Sequence, residues 1–171
     1  MGPSLKGRAL RLLSNREHSR LELAQKLKSH AQSEEELAQT LEWLQTKGFI
    51  NEQRVLESVV YRRSPKLGYA RIARELQDKG LTAPAVAQAV KELKETEAER
   101  AKMVWLKKFK TPALDAGDKA KQMRFLMSRG FAPSVVIQVL SAVAKKHNQG
   151  TDLIVDADDE FAGMTGDFEV N

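Results

Sequence analysis

The side chains best suited to chemistry in this sequence are two groups of cations. The first group lies near the centre of the chain: Arg62, Arg63, Lys66, Arg71, Arg74 and Lys79. The second lies in the last third: Lys119, Lys121 and Arg124. Arginine and lysine bind phosphates and carboxylates through charge-assisted hydrogen bonds. The two groups therefore predict a surface that binds a polyanion, either a nucleic acid or a protein that presents acidic groups.

The distribution of charge along the 171 residues favours the same kind of partner. The net charge is +5, but the segment 151–171 holds seven acidic residues and no lysine or arginine. The body up to Gly150 therefore carries +12. A basic body with an acidic tail indicates a polyanionic partner. The alternative is that the excess of lysine only keeps a helical protein in solution.

No enzymatic constellation accompanies these cations. The sequence has no glycine-rich phosphate loop and no helix with paired histidines, and His18, His30 and His147 lie far apart. We expect a protein that is not an enzyme and needs no metal or cofactor. The chain has no cysteine, as is usual in a reducing cytoplasm, and no apolar run of the roughly 20 residues that a membrane span needs. We therefore expect a cytoplasmic protein without a membrane partner.

A short amphipathic helix is predicted to position the central cations. After Gly68, four residues recur with the 3.6-residue period and form one apolar face: Tyr69, Ile72, Ala73 and Leu76. Arg71 and Arg74 fall on the opposite face. Gly80 predicts the end of this helix, since a left-handed residue commonly follows a helix C-terminus. The segment 62–68, which contains Pro65, is predicted to be the loop that precedes it.

This helical unit occurs three times with a period near fifty residues. Leu27, Leu76 and Leu126 occupy equivalent positions, and Gly130 is equivalent to Gly80. Such a period is typical of repeat proteins whose units stack to share apolar surface. We predict an all-α fold of three tandem three-helix repeats that resemble helix-turn-helix modules, in an elongated or bent body. The predicted boundaries are 1–50, 51–95 and 96–149, followed by a disordered acidic tail, 150–171.

Capping signals support several helix starts. Three Ser/Thr-x-x-Glu pairs predict capping boxes: Ser19 with Glu22, Ser33 with Glu36, and Thr96 with Glu99. Since the two groups of cations occupy equivalent places in their repeats, we expect stacked repeats to align them into one stripe. The helix over 85–94 is poor in side chains that read bases, so sequence-specific DNA recognition is not expected.

Several short motifs, in this order and spacing, resemble the RecX family of regulators of the bacterial RecA recombinase. The motifs are Arg8-Ala9-Leu10, Arg16-Glu17-His18-Ser19, Lys47-Gly48-Phe49-Ile50, Gly68-Tyr69-Ala70-Arg71-Ile72, Lys79-Gly80-Leu81 and Arg129-Gly130-Phe131. The resemblance covers about Leu5 to Val143. It departs from the family pattern at Phe49, Asn51, Val55 and Ala70.

The resemblance implies a small, non-enzymatic modulator that binds RecA filaments along their helical groove, and we expect the protein to be a monomer. Such a protein restrains DNA-strand exchange, ATP hydrolysis and coprotease activity of RecA. The cations of the first paragraph would then contact the filament. The alternative is a non-specific protein that binds single- or double-stranded DNA directly and has no recombinase partner. A third option is an adaptor for an acidic protein.

Overall fold

The structure is a computed structural model that describes the backbone of residues 3–158 and the side chains of residues 3–149. All the regular elements in that part of the chain are helical. They are α1 (Leu5–Asn15), α2 (Arg20–Leu27), a 3-10 turn (Lys28–His30), α3 (Glu34–Thr46), α4 (Glu52–Arg63), α5 (Tyr69–Asp78), α6 (Ala83–Glu95), α7 (Glu97–Lys108), α8 (Ala116–Ser128) and α9 (Pro133–Asp158). The predicted all-α fold is confirmed.

Three separate hydrophobic clusters divide the helices into consecutive sets of three. The first cluster joins α1 to α3 and includes Leu27. The second joins α4 to α6 around Ile72 and Leu76, and the third joins α7 to α9 around Trp105 and Leu126. Burial of these apolar side chains is the main stabilising term in each set. The fold is thus three tandem three-helix repeats, here called repeats 1 to 3. The boundaries at 50/51 and 95/96 stay a prediction, and no cluster crosses them.

Local capping explains where some of these helices begin. The predicted box at α2 is present, since Glu22 N–H donates to Ser19 Oγ at 3.1 Å and Ser19 N–H donates to Glu22 Oε2 at 3.0 Å. The box predicted at Thr96 is wrong. Thr96 both ends α6 and starts α7, and its hydroxyl accepts a hydrogen bond from Arg100 Nε at 3.1 Å instead.

Glycine follows three of the helices in a left-handed conformation. Gly48, Gly80 and Gly130 follow α3, α5 and α8 with φ of 72°, 77° and 85°. Only glycine adopts this left-handed conformation without steric cost, so the predicted end of α5 is confirmed.

One predicted boundary is wrong. Helix α4 runs to Arg63, so Arg62 and Arg63 lie in its last turn and not in a loop. Helix α9 runs to Asp158, and the tail boundary at 149/150 stays a prediction. The rest of the predicted tail, 159–171, lies outside the described residues.

The repeats follow one another as a linear array. Helices α6 and α7 pack across the boundary of repeats 2 and 3, and in the described chain no extensive helix contact joins repeat 1 to repeat 3. Among residues 3–158, no helix is both long and apolar enough to cross a membrane.

Candidate polyanion-binding surface

The start of α5 is built against the turn between α8 and α9. Gly68 N–H donates to the carbonyl of Arg129 at 2.9 Å, and Ala70 N–H donates to the carbonyl of Gly130 at 3.4 Å. A Cβ on Gly68 would overlap the Gly130 carbonyl, and a Cβ on Gly130 would overlap Arg71. Both positions therefore require glycine so that the two backbones can approach. The carbonyls of repeat 3 satisfy N–H groups at the N-terminus of α5, which has no side-chain cap.

The same kind of joint connects repeats 1 and 2. The turn after α5 packs on the start of α2, where a Cβ on Gly80 would lie 3.0 Å from the Leu21 side chain. Lys79 Nζ also pairs with Glu22 Oε1 at 2.6 Å across this joint. The middle helices α8, α5 and α2 consequently meet end to end, each C-terminus against the next N-terminus.

Exposed cations recur at equivalent positions of two of these middle helices. Arg71 and Arg74 on α5 correspond to Lys121 and Arg124 on α8, since the offset is the one that relates Gly80 to Gly130. All four side chains are exposed. We call these four residues the basic stripe. The equivalent positions of α2 hold a glutamate and a glutamine, so the stripe belongs to repeats 2 and 3 only.

The joint between repeats 2 and 3 brings the two halves of the stripe together. The backbone and stem of Arg71 lie against Gly130, the first residue past the α8 C-terminal turn. Arg124 precedes Gly130 by less than two helical turns, which corresponds to on the order of 9 Å along the axis. Arg129 lies between them in sequence, with its guanidinium 4.5 Å from the Phe125 ring. The last turns of α8, which follow Arg124, therefore lie close to the start of α5.

Among the other predicted cations of repeat 2, Arg63 lies beside the stripe. It reaches from α4 to Glu75 on α5, with Nε–Oε2 at 2.7 Å and Nη2–Oε1 at 3.2 Å. Arg62 binds the carbonyl of its own helix at Ser58, 3.1 Å away, and Lys66 is exposed in the loop. No contact fixes the direction of Lys66 relative to the stripe.

Two predicted cations lie away from the stripe. Lys119 is about 200° around α8 from Lys121 and lines a groove against α9 with Leu140. Lys79 has a side chain only 13 % exposed and is held by Glu22. Since a buried ion pair is not free to bind a partner, Lys79 serves the joint between repeats 1 and 2.

The pairing at this joint shifts the pKa of Glu22. Burial alone would raise it, but hydrogen bonds from the Arg16 and Lys79 side chains and from the Ser19 N–H lower the pKa to about 2. His18, which is buried nearby, has its pKa lowered by burial and then by Arg16. His18 is therefore neutral at pH 7, and its Nδ1 has no partner among the described atoms.

Sequence reasoning missed two polar residues that join repeats 2 and 3, the partly buried Arg100 and the buried Glu97. Arg100 donates to the carbonyls of Leu67 at 2.6 Å and Leu93 at 2.7 Å. Burial lowers its pKa, and the neighbouring Glu97 opposes that shift. Glu97 is 2 % exposed and accepts the Tyr69 N–H at 3.1 Å.

Arg54 has a similar task between repeats 1 and 2. Its Nε pairs with Glu17 at 2.9 Å, while Nη2 donates to the carbonyls of Gly48 and Phe49. Arg54 and Arg100 each lie near the start of the helix that opens a repeat and bind carbonyls of the preceding repeat. That shared position is the one sequence signal that could have revealed them.

The described part of the chain contains no group of three or more His, Asp or Glu side chains placed to hold a metal ion. The exposed arginines and lysines of α5 and α8 make this surface positively charged. Arginine and lysine heads on a rigid helical frame present donors to successive phosphates or carboxylates. The fold is that of a helical-repeat protein, and its exposed cations have the charge that suits a polyanionic or acidic partner.

Comparison with known proteins identifies the family. Models of the third and first three-helix domains of RecX match residues 95–140 and 6–44. The regulatory protein RecX of Leptothrix cholodnii is 48% identical over 145 residues, which cover 85% of this chain and 92% of that protein. The regulatory protein RecX of Ralstonia nicotianae is 41% identical over 157 residues, or 92% and 94% of the two chains. The chain belongs to the RecX family of regulatory proteins.

A solved structure shows the same fold. The crystal structure of RecX from Lactobacillus salivarius superposes with a TM-score of 0.68 at 19% identity, over 82% of this chain and 94% of that one. The arrangement of repeats is therefore shared although most side chains differ.

Proposed function

We propose that this protein binds RecA nucleoprotein filaments and modulates RecA, mainly by inhibiting its strand exchange, ATPase and coprotease activities. Membership of a family of regulatory proteins named RecX supports this proposal. We further propose that the protein acts as a monomer in the cytoplasm, without catalysis of its own and without a cofactor.

The observation that carries the proposal is the basic stripe. It places cations at the same two positions of adjacent repeats, Arg71 with Arg74 and Lys121 with Arg124, on either side of a joint that backbone hydrogen bonds hold. A partner that matches it must itself present negative charge at regular intervals. A filament of protein on DNA has that periodicity, so one RecX repeat would lie against each successive part of its groove.

The contribution of the stripe can be tested by charge reversal. The variants Arg71→Glu/Arg74→Glu and Lys121→Glu/Arg124→Glu should each raise the concentration for half-maximal inhibition of the RecA ATPase by roughly tenfold at physiological salt. The four side chains are exposed, so far-UV circular dichroism should not change.

The matched control is Lys91→Glu/Lys102→Glu. These two lysines are exposed on α6 and α7, outside the stripe, and their reversal changes the net charge by the same amount. We expect inhibition by this control to stay within about twofold of the wild type. Full inhibition by both stripe variants would remove the stripe from the interface.

The alternative function is non-specific DNA binding without a recombinase partner. The basic stripe favours this function because contacts with phosphates require no side chains that recognise bases. Binding to bare DNA and to preformed RecA filaments at one physiological salt concentration separates the two. Tight binding to bare DNA with no preference for the filament would support the alternative.

A further inference from the structure

A second concentration of positive charge lies on repeat 1, where the basic stripe has no counterpart. The helices α1 and α2 and the following 3-10 turn surround a cavity of about 550 Å³. Four basic side chains line it: Arg8, Arg11, Lys26 and His30. Leu12 and Leu27 form its apolar part, and no acidic residue is among the lining residues.

Arg8, Arg11 and Lys26 supply the positive charge, and none of the four side chains has an acidic partner in the described part of the chain. None of them makes a salt bridge or a side-chain hydrogen bond there. Other cations of repeat 1 do, since Arg16 pairs with Glu22 at 3.0 Å and Arg20 with Glu42 at 3.4 Å. Unpaired cations around a concavity with low-dielectric walls concentrate positive potential inside it. The cavity is therefore suited to an anionic ligand.

The core of repeat 1 holds the cavity in shape. Arg8 and Arg11 are three residues apart on α1, so their side chains share one side of that helix. The buried Leu5 and Ala9 fix α1 on the hydrophobic cluster, and the fully buried Leu27 does the same for the end of α2. Arg8 and Arg11 on α1 and Lys26 on α2 consequently have a relative position that is set by packing.

The lining residues distinguish between anionic ligands. Arginine forks match the geometry of phosphate oxygens and bind them bidentately. No Phe, Tyr or Trp lines the cavity, so the broad aromatic platforms on which successive bases stack are absent from its lining. A concavity of this size admits an extended strand more readily than a rigid duplex. We propose that the cavity binds the phosphate backbone of single-stranded nucleic acid without reading its sequence.

This site goes beyond the proposed function because it lies on a different repeat and requires no RecA. Its test therefore uses bare nucleic acid and the full chain, so that failure of one proposal leaves the other standing. Binding of a fluorescein-labelled 15-nucleotide thymidine oligomer is followed by anisotropy from 50 to 300 mM salt. The test variant is Arg8→Gln/Arg11→Gln. The control is Lys28→Gln/Lys47→Gln, which removes two exposed lysines of the same repeat outside the cavity.

We expect the cavity variant to bind the oligomer roughly tenfold more weakly at 0.15 M salt. The slope of log K against log salt should fall in magnitude by about 1.4, because two phosphate contacts are lost and each contributes about 0.7. The control should lose less than about half of that slope. In the wild type, the methyl resonances of Leu12 and Leu27 should shift when the oligomer is added, which locates the contact without any substitution.

Two competitors decide the source of the anion. Weak competition by pyrophosphate at millimolar concentration supports the phosphate site. Saturation of the methyl shifts by micromolar pyrophosphate alone would assign the cavity to a free phosphate ligand and overturn the strand proposal. Methyl shifts with poly-glutamate but not with the oligomer would assign it to an acidic peptide. An unchanged salt slope in the folded cavity variant would also overturn the proposal.

Discussion

The salt bridge of Glu22 predicts a measurable stabilisation of the joint between repeats 1 and 2. The side chains of Glu22 and Lys79 are 15 % and 13 % exposed, so solvent screens the pair only slightly. A pKa lowered from 4.5 to about 2 corresponds to roughly 3 kcal/mol of differential stabilisation of the carboxylate. Because glutamine keeps a carbonyl that accepts hydrogen bonds, we expect Glu22→Gln to lose about 2 kcal/mol of unfolding free energy at pH 7.

The sign of the pH dependence follows from the direction of the shift. A carboxyl whose pKa is lower in the folded state stabilises the fold fully above its unfolded pKa, near 4.5, and loses that effect as the pH falls towards 2. The difference between wild type and Glu22→Gln should therefore be constant above about pH 5.5, narrow below it and nearly vanish at pH 2.

Urea unfolding followed by circular dichroism at pH 7, 4 and 2.5 measures this difference. The control is Glu95→Gln, an exposed residue at the end of α6, which should change the unfolding free energy by less than about 0.5 kcal/mol at each pH. Equal stability of Glu22→Gln and the wild type at pH 7 would refute the reasoning. A difference that stays the same at pH 2.5 would show that packing and not charge carries the effect.

Two further perturbations test the joint between repeats 2 and 3 and the acidic tail. Gly68→Ala should cost about 3 kcal/mol of unfolding free energy in urea titrations, because the new methyl group overlaps the Gly130 carbonyl and separates repeats 2 and 3. The control is Gly117→Ala, where a Cβ meets only the Asp115 carboxylate. It should change the unfolding free energy by less than about 1 kcal/mol. Deletion of 151–171, which removes seven acidic residues, should raise affinity for single-stranded DNA, most clearly at low salt, as measured by anisotropy. Equal affinities at 50 mM salt would limit the tail to a role in solubility.

The fold could be predicted because its signals are local. The 3.6-residue period and the turn glycines fix the helices, and the fifty-residue period fixes how many times they repeat. Ser19 caps α2 as predicted, since a capping box needs only neighbours in sequence. Ser33 caps α3, but Glu36 binds the N–H of Gln32 instead of returning to Ser33, so the second box is only half formed.

The candidate site was predictable only in part, because several of its cations have distant partners. The exposure of Arg71 and Arg74 follows from the helical period alone. Lys79 follows the same pattern, yet it pairs with Glu22 of the preceding repeat, and no local signal links the two. Thr96 failed as a cap for a similar reason, since Arg100 takes its hydroxyl while reaching back to carbonyls of repeat 2.

The glycine joint between repeats 2 and 3 sets a constant distance between neighbouring repeats. At Gly68 and Gly130, main-chain hydrogen bonds and two residues without side chains hold repeats 2 and 3 together, so this contact does not depend on the outward side chains. Those side chains can therefore be exchanged while the step from repeat 2 to repeat 3 stays constant. The length of a periodic partner that one molecule spans is then set by how many units the gene encodes.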